Sequence, residues 1–322
     1  MSNNLKQKIW LIGAGPMARE YAKVMKAQRL DFLVIGRGEK SASEFSKQVG
    51  QPVITGGLTQ FLNNAPAIAD FAIVSVSVEQ LAETTRRVLD YGIKHVLVEK
   101  PAGLELNELA ELKSLAADKK ARVYVAYNRR FYAAVIKAKE IIELDGRVTS
   151  FNFEFTEWSH KIEKLPNPGM VKQRWFLANS THVVDLAFYL GGKPKKINCL
   201  TAGKLSWHPS AAVFAGSGVS ERGALFSYQA NWQSAGRWGV EVLTNEHRLI
   251  LKPLEKIAVQ TRGLIDVAQL EIDDQLDRDF KPGLYRQVEA FLRKDNKSLC
   301  SIAEHYANAK SYIKMANYQD HI

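Results

Sequence analysis

Four short stretches of the chain carry residue types that can do chemistry. Glu99-Lys100-Pro101 follows the apolar run His95-Val96-Leu97-Val98, so it stands at the carboxyl end of a predicted strand, where open α/β sheets bind their ligands. A lysine held there can present a positive charge to a substrate oxygen, although a surface lysine at a strand end is by itself ordinary. His182 and Asp185 are three apart in a run with helical spacing and share one helix face. The near-neutral pKa of histidine suits proton exchange at working pH, but a lone histidine on such a helix is more often a core or surface residue. Gly13-Ala14-Gly15-Pro16-Met17-Ala18 joins the apolar run Lys8-Ile9-Trp10-Leu11-Ile12 to a helical pattern, and Tyr127-Asn128-Arg129-Arg130-Phe131 closes the first half of the chain.

The elements that must position these residues follow from hydrophobic period. From Lys8 to about Tyr127 short β-rich runs alternate with helical patterns. Phe32-Leu33-Val34-Ile35, Pro52-Val53-Ile54, Phe71-Ala72-Ile73-Val74, His95-Val96-Leu97-Val98 and Val123-Tyr124-Val125-Ala126 read as strands. Between them Pro16 to Gln28, Ser41 to Val49, Leu58 to Leu62, Glu79 to Tyr91 and Leu106 to Lys119 read as helices. Repeated βα units of this kind specify a parallel sheet with helices on both faces. In that setting the glycine turn fits a dinucleotide pyrophosphate, which needs backbone N–H groups at a helix N-terminus and no side chain in the way. Gly13 and Gly15 supply the turn, Pro16 and Met17 begin the helix, and Ala18 takes the third glycine's place.

The end of the second strand separates the two nicotinamide dinucleotides. An acidic residue there would accept from the ribose 2′-hydroxyl of NAD, and this chain has Gly36-Arg37-Gly38. Arg37, with Ser41 and Lys40 near it in sequence, can pair with a 2′-phosphate, so NADP is expected over NAD. In the alternative Arg37 is a solvated turn residue and Glu39 does the acidic residue's work.

From about Phe131 the rhythm changes. A helix to Leu144 is followed by Arg147 to Trp158, where Phe151, Phe153 and Phe155 alternate with polar residues as in a half-buried strand. Ser159 to Arg174 is polar, broken by Pro166, Pro168 and Gly169, and reads as a loop over the active site; its His160, Lys161, Lys172 and Arg174 could meet an anionic substrate. Asn179-Ser180-Thr181 caps a helix carrying His182 and Asp185 that ends at Gly191-Gly192. Six further strands, Ile197 to Ala202, Ala212 to Ala215, Gly223 to Trp232, Trp238 to Leu243, Arg248 to Leu251 and Ile257 to Gln260, predict an antiparallel sheet before two terminal helices. Trp207, Tyr228 and Trp232 line the pocket or belong to the core.

Taken in this order, the glycine turn, Glu99-Lys100-Pro101, Tyr127-Asn128-Arg129-Arg130-Phe131 and His182 with Asp185 resemble the Gfo/Idh/MocA family of NAD(P)-dependent oxidoreductases, most of which act on sugars or sugar-like polyols. The resemblance covers essentially the whole chain. It implies a Rossmann domain over 1–127 and, over 128–322, an α+β substrate-binding and oligomerisation domain whose large, mostly antiparallel open sheet makes a homodimer or homotetramer. It also implies a cis bond before Pro101, Glu99 near the nicotinamide ribose, Asn128 near the nicotinamide end, and His182 as the proton-transfer group, with Lys100 and Asp185 completing the catalytic set. Gly13, Gly15, Pro16, Met17, Arg37, Ser41, Ser75, Ser77, Glu99, Lys100 and Asn128 are the expected cofactor-binding residues. The chain departs from the family pattern at Ser75-Val76-Ser77, at Leu81 in place of a histidine, and at Ala178 and Ser180 in place of an aspartate and a glycine.

Composition narrows the remaining classes. With 322 residues, 46% hydrophobic and 24% charged, the chain has enough material for two domains with their own cores, and no apolar run reaches the ~20 residues of a spanning helix. Met1-Ser2-Asn3-Asn4-Leu5-Lys6 leaves no room for a signal peptide, so a cytoplasmic protein is expected. Cys199 and Cys300 lack a partner spacing, which argues against a disulfide or zinc site and for two buried thiols. The net charge of +10 is scattered rather than blocked, so it favours anionic small ligands over nucleic acid. The sequence reading is therefore an NADP-dependent oxidoreductase acting on a hydroxyl or keto carbon of a sugar, sugar nucleotide or sugar-like substrate. A non-catalytic NADP-binding regulator of the same fold is the alternative.

Overall fold

In the computed structural model, which describes residues 7–319, the apolar runs of the first half pair in parallel register. The strands are β1 (Ile9–Ile12), β2 (Phe32–Ile35), β3 (Val53–Ile54), β4 (Phe71–Val74), β5 (His95–Val98) and β6 (Arg122–Val125), in the spatial order 3-2-1-4-5-6. β1 therefore lies between β2 and β4, and the strand order reverses there, which makes the crevice outside their carboxyl ends the ligand position of such a sheet. Helices cover the faces, so β1 and β4 are buried at every residue.

The chain leaves this unit after Tyr127 and re-enters it for Asp279–Tyr306. The helix Leu284–Leu292 packs on the helix Pro16–Ala27, and the strand Cys300–Ser301 adds antiparallel to β6. The expectation of one continuous second domain over 128–322 does not include that return. A two-residue strand and one amphipathic helix carry no sequence signal for the sheet they join.

The second unit, Asn128–Arg278 with the chain from Ala307 onward, is built on an eight-stranded sheet. Its strands are β7 (Ser150–Glu154), β8 (Pro194–Ala202), β9 (Val213–Ser220), β10 (Leu225–Asn231), β11 (Gly239–Leu243), β12 (His247–Leu251), β13 (Ala258–Thr261) and β14 (Ala268–Gln269), ordered 14-13-12-11-7-10-9-8. Every neighbouring pair is antiparallel except β7 and β10. The fold class read from the sequence holds: a Rossmann-type domain with a mostly parallel sheet, and an α+β domain with a largely antiparallel open one.

The alternation around β7 has the predicted consequence. Phe151, Phe153 and Phe155 are all buried, and Phe188 of the helix Thr181–Gly191 meets the rings of Phe151, Phe153 and Phe226 edge-on at 6.2, 5.5 and 5.4 Å. Burying four such rings is worth several kcal/mol. It fixes the helix that carries His182 and Asp185 to the sheet. The opposite face of β10 exposes Leu225, Ser227, Gln229 and Asn231.

Several expectations change in detail. The stretch from Ser159 to Arg174 is not all loop: it forms the helices Ser159–Ile162 and Gly169–Gln173, the second begun by Pro168, and a π-helical turn over Phe176–Ser180 runs straight into the helix Thr181–Gly191. Turns this short have no period to read. Trp207, Tyr228 and Trp232 are core residues, with Trp207 and Trp232 stacked 5.9 Å apart beside His208. Cys300 is buried but Cys199 only half so, and both are free thiols. The Met1 to Lys6 stretch, read as too short for a signal peptide, lies outside the described residues. Among those described, no helix is long and apolar enough to cross a membrane.

Candidate active site

In the first unit, two glycines of the turn have different reasons to be glycine. Gly13 has φ +123°, and a Cβ placed there would stand 2.0 Å from the carbonyl oxygen of Ser75, so the close approach of β1's end to β4's end admits nothing larger. Gly15 has an ordinary φ of −82°, and a Cβ there would meet nothing within 4 Å. Its missing side chain keeps open space at the start of the helix Pro16–Ala27. That helix has no side-chain cap; its first residue, Pro16, has no N–H, so Met17 and Ala18 carry the unpaired N-terminal donors. Beside Gly13, Ser75 is 5% exposed and its buried hydroxyl has no hydrogen-bond partner among the described residues. Open space, free N–H groups and an orphaned hydroxyl together fit a dinucleotide at the switch point of the sheet.

At the end of β2, the turn is held by backbone alone. Gly36 donates to Ile54 and accepts from Gly57, while the Arg37 carbonyl accepts from Gly56. The Arg37 side chain is exposed and makes no hydrogen bond or ion pair among the described residues. Ser41 donates to the Gly38 carbonyl at 3.0 Å in the first turn of the helix Glu39–Val49, which also lacks a side-chain cap. Ser77 is exposed and donates to Glu79 at 2.7 Å.

Glu99 and Lys100 sit on a built turn. The Lys100–Pro101 bond is cis, and Ala102 donates from its backbone to the Glu99 carbonyl at 2.9 Å, which closes a four-residue turn with proline in the third place. Two groups outside the motif brace it. Tyr21, on the helix that starts at the glycine turn, donates its hydroxyl to Glu99 at 2.7 Å; burial first and the Glu99 charge second raise the Tyr21 pKa well above normal, so it stays a donor. His305, fully buried, donates from Nε2 to the Pro101 carbonyl at 2.9 Å and meets the Tyr127 hydroxyl through Nδ1 at 3.3 Å. Tyr21 reads in sequence as one more apolar helix position, and His305 lies about two hundred residues from its partner, so neither gives a local signal.

In the second unit the helix Thr181–Gly191 packs on β7, β11 and the turn Asn128–Phe131. His182 is buried, with its ring 6.1 Å from that of Trp238. Asp185 uses both oxygens on Arg130, receiving Nε at 2.8 Å and Nη2 at 2.6 Å, with the two side chains 1% and 3% exposed. Such a bidentate pair locks the helix against the 128–131 turn. Asn128 is buried, and its Oδ1 receives Arg129 Nη1 at 3.5 Å. Glu157, also buried, accepts from Asn179 at 2.9 Å and from Ser180 at 2.8 Å. Its signal was present in the sequence: Glu157 has the parity of Phe151, Phe153 and Phe155, which puts a carboxylate in an apolar row. Of the loop cations, Lys161 lies over Trp158, Lys172 donates to the Glu163 carbonyl, and Arg174 lies over Tyr318.

Comparison with known proteins bears on both units. Residues 7–127 match the model of GFO_IDH_MocA, the oxidoreductase family with an NAD-binding Rossmann fold. An uncharacterised oxidoreductase of Schizosaccharomyces pombe is 31% identical over 137 residues, covering 40% of this chain; the match spans 36% of that protein's length. Over nearly the whole chain the fold is that of UDP-N-acetylglucosamine 3-dehydrogenase from Acidithiobacillus ferrooxidans, with TM-score 0.74, 14% identity and 96% of each chain covered. It is also that of levoglucosan dehydrogenase, solved with NADH and L-sorbose, with TM-score 0.78, 18% identity and 98% and 97% covered. Residues 7–127 thus carry the NAD-binding Rossmann fold of that family model. Residues 7–127 belong to the Gfo/Idh/MocA family.

Proposed function

We propose that the chain is an NADP-dependent oxidoreductase acting on a hydroxyl or keto carbon of a sugar, sugar nucleotide or sugar-like substrate. One observation carries the reading: the open space that Gly15 preserves at a free helix N-terminus, next to the orphaned Ser75 hydroxyl. The sugar class draws on the two solved relatives, whose names state sugar substrates. Gly15→Val is expected to fold normally, since its backbone angles suit any residue, yet to weaken NADPH binding at least about tenfold by filling that space. Fluorescence titration of the dinucleotide checks this. Unchanged affinity would remove the turn from the site.

When bound, the nicotinamide supplies or accepts the hydride. In this reading Lys100, carried on the braced turn after β5, holds a positive charge against the developing negative charge on the substrate oxygen. His182 takes or returns a hydroxyl proton of the substrate. Asp185 acts through Arg130, keeping the helix of His182 in place. Glu99 and Asn128 contact the nicotinamide side, and Ser77 contributes through its backbone.

The preference for NADP rests on Arg37, an exposed guanidinium with no partner of its own, at a strand end that carries no carboxylate. Arg37→Ser is expected to raise the NADPH dissociation constant by about ten- to a hundredfold and to leave NADH binding unchanged, the size of a lost charge-assisted contact. An unchanged ratio of the two affinities would return the role to Glu39. We place the protein in the cytoplasm as a homodimer or homotetramer joined through the exposed face of β10.

A second reading, a non-catalytic NADP-binding regulator, has one observation in its favour. Ala178 supplies no carboxylate, and the buried carboxylate of Glu157 is occupied by Asn179 and Ser180. Turnover of any compound in a panel of sugars and nucleotide sugars, followed by absorbance of the reduced nicotinamide, would exclude it.

A further inference from the structure

Two adjacent arginines of the second unit are treated differently by the fold. Arg130 spends its guanidinium on Asp185 through two short bonds. Arg129 has no such carboxylate. Among the described residues its side chain makes one hydrogen bond, a 3.5 Å contact from Nη1 to Asn128, and its buried Nε has no acceptor. Burial accordingly lowers the Arg129 pKa, with Glu157 and Glu255 acting against that from beyond ion-pair distance.

The Arg129 guanidinium lies 4.8 Å from the centre of the Trp238 ring, and Arg237 lies 4.7 Å from the same ring. Stacking satisfies the face of a guanidinium but not its in-plane N–H donors. Trp238 adds a second orphan, because its Nε1 has no acceptor among the described residues and the residue is 6% exposed. Arg237 is exposed and forms no ion pair among the described residues. Trp238 in turn borders His182. Two cations and two buried N–H donors without an acceptor among the described residues thus gather at the Trp238 ring, which itself borders His182. A buried donor without an acceptor is costly, more so when charged, unless a ligand or water answers it.

We propose that Arg129, with Trp238 Nε1 and Arg237, receives an anionic group of the substrate, a carboxylate or a phosphate, next to His182. This rests on the oxidoreductase reading and narrows its substrate to sugar acids or phosphorylated sugars. Hydroxyls of a neutral sugar could accept from the N–H donors but would bring no charge to meet the two guanidiniums.

The test is calorimetric titration of the full chain, free and saturated with NADPH, with glucuronate, glucose 6-phosphate, glucose and inorganic phosphate. Glucuronate or glucose 6-phosphate is expected to bind at least about tenfold tighter than glucose, and which of the two does so identifies the anion. Arg129→Gln should abolish that preference while glucose and NADPH affinities stay as in the wild type. Arg237→Gln, at an exposed position, should reduce anion affinity by a few fold without lowering the thermal midpoint, and so decides the matter if Arg129→Gln does not fold. Equal binding of charged and neutral sugars, a preference that survives both substitutions, or no binding by any of the anions would overturn the proposal. Failure of the wild type to bind either NADPH or NADH would instead overturn the oxidoreductase reading, and the titrations of the free chain would still decide this one.

Discussion

Lys100→Met is expected to lower kcat/KM by about 10²–10³-fold while NADPH affinity stays within about twofold of the wild type, because the lost charge acts on the substrate oxygen as negative charge develops there. His182→Ala should cost about 10²–10⁴-fold, the usual contribution of a positioned acid–base group. Steady-state kinetics and dinucleotide titration on the same preparations separate chemistry from binding. A variant at either position that kept turnover within a few fold of the wild type would lose its assigned role. The bracing groups give a graded control: His305→Ala removes the donor to the Pro101 carbonyl without touching Lys100 itself, so it should lower turnover less than Lys100→Met.

Asp185→Ala should destabilise the fold by about 3–5 kcal/mol in urea unfolding, because it leaves the Arg130 charge buried and unpaired. Arg130→Met combined with Asp185→Leu should recover most of that loss, since replacing a buried ion pair by apolar groups of similar size is often neutral. The surface pair Arg248–Glu241, whose arginine side chain is 44% exposed, should give less than about 1 kcal/mol by the same measurement. If Asp185→Ala unfolded within about 1 kcal/mol of the wild type, the pair would not be what holds the helix of His182. A loss of turnover in the double variant greater than its loss of stability would show that positioning matters beyond folding.

The parts of this molecule that are legible in its sequence are those written in local period. Short β-rich runs separated by helical patterns specify β1 to β6, and the glycines of the turn mark the crossing from β1 to its helix. The alternation of Phe151, Phe153 and Phe155 specifies β7 and its buried face. What the sequence does not show depends on contacts distant along the chain. The return of Asp279–Tyr306 to the first sheet rests on a two-residue strand. His305 meets Pro101, and Tyr21 meets Glu99, only once the units have formed. Arg130 and Asp185 both stand out in the sequence, but that they pair, leaving Arg129 without a carboxylate among the described residues, follows from helix packing rather than spacing. The resemblance located the residues of interest, whereas packing distinguishes those that hold one another from those with donors to spare.

Every role proposed for the first unit depends on a nicotinamide dinucleotide binding at the glycine turn. Fluorescence titration of the full chain with NADPH and with NADH tests that binding. Saturable binding of one dinucleotide per chain is expected, with NADPH tighter than NADH. Absence of saturable binding of either up to millimolar concentration would contradict it.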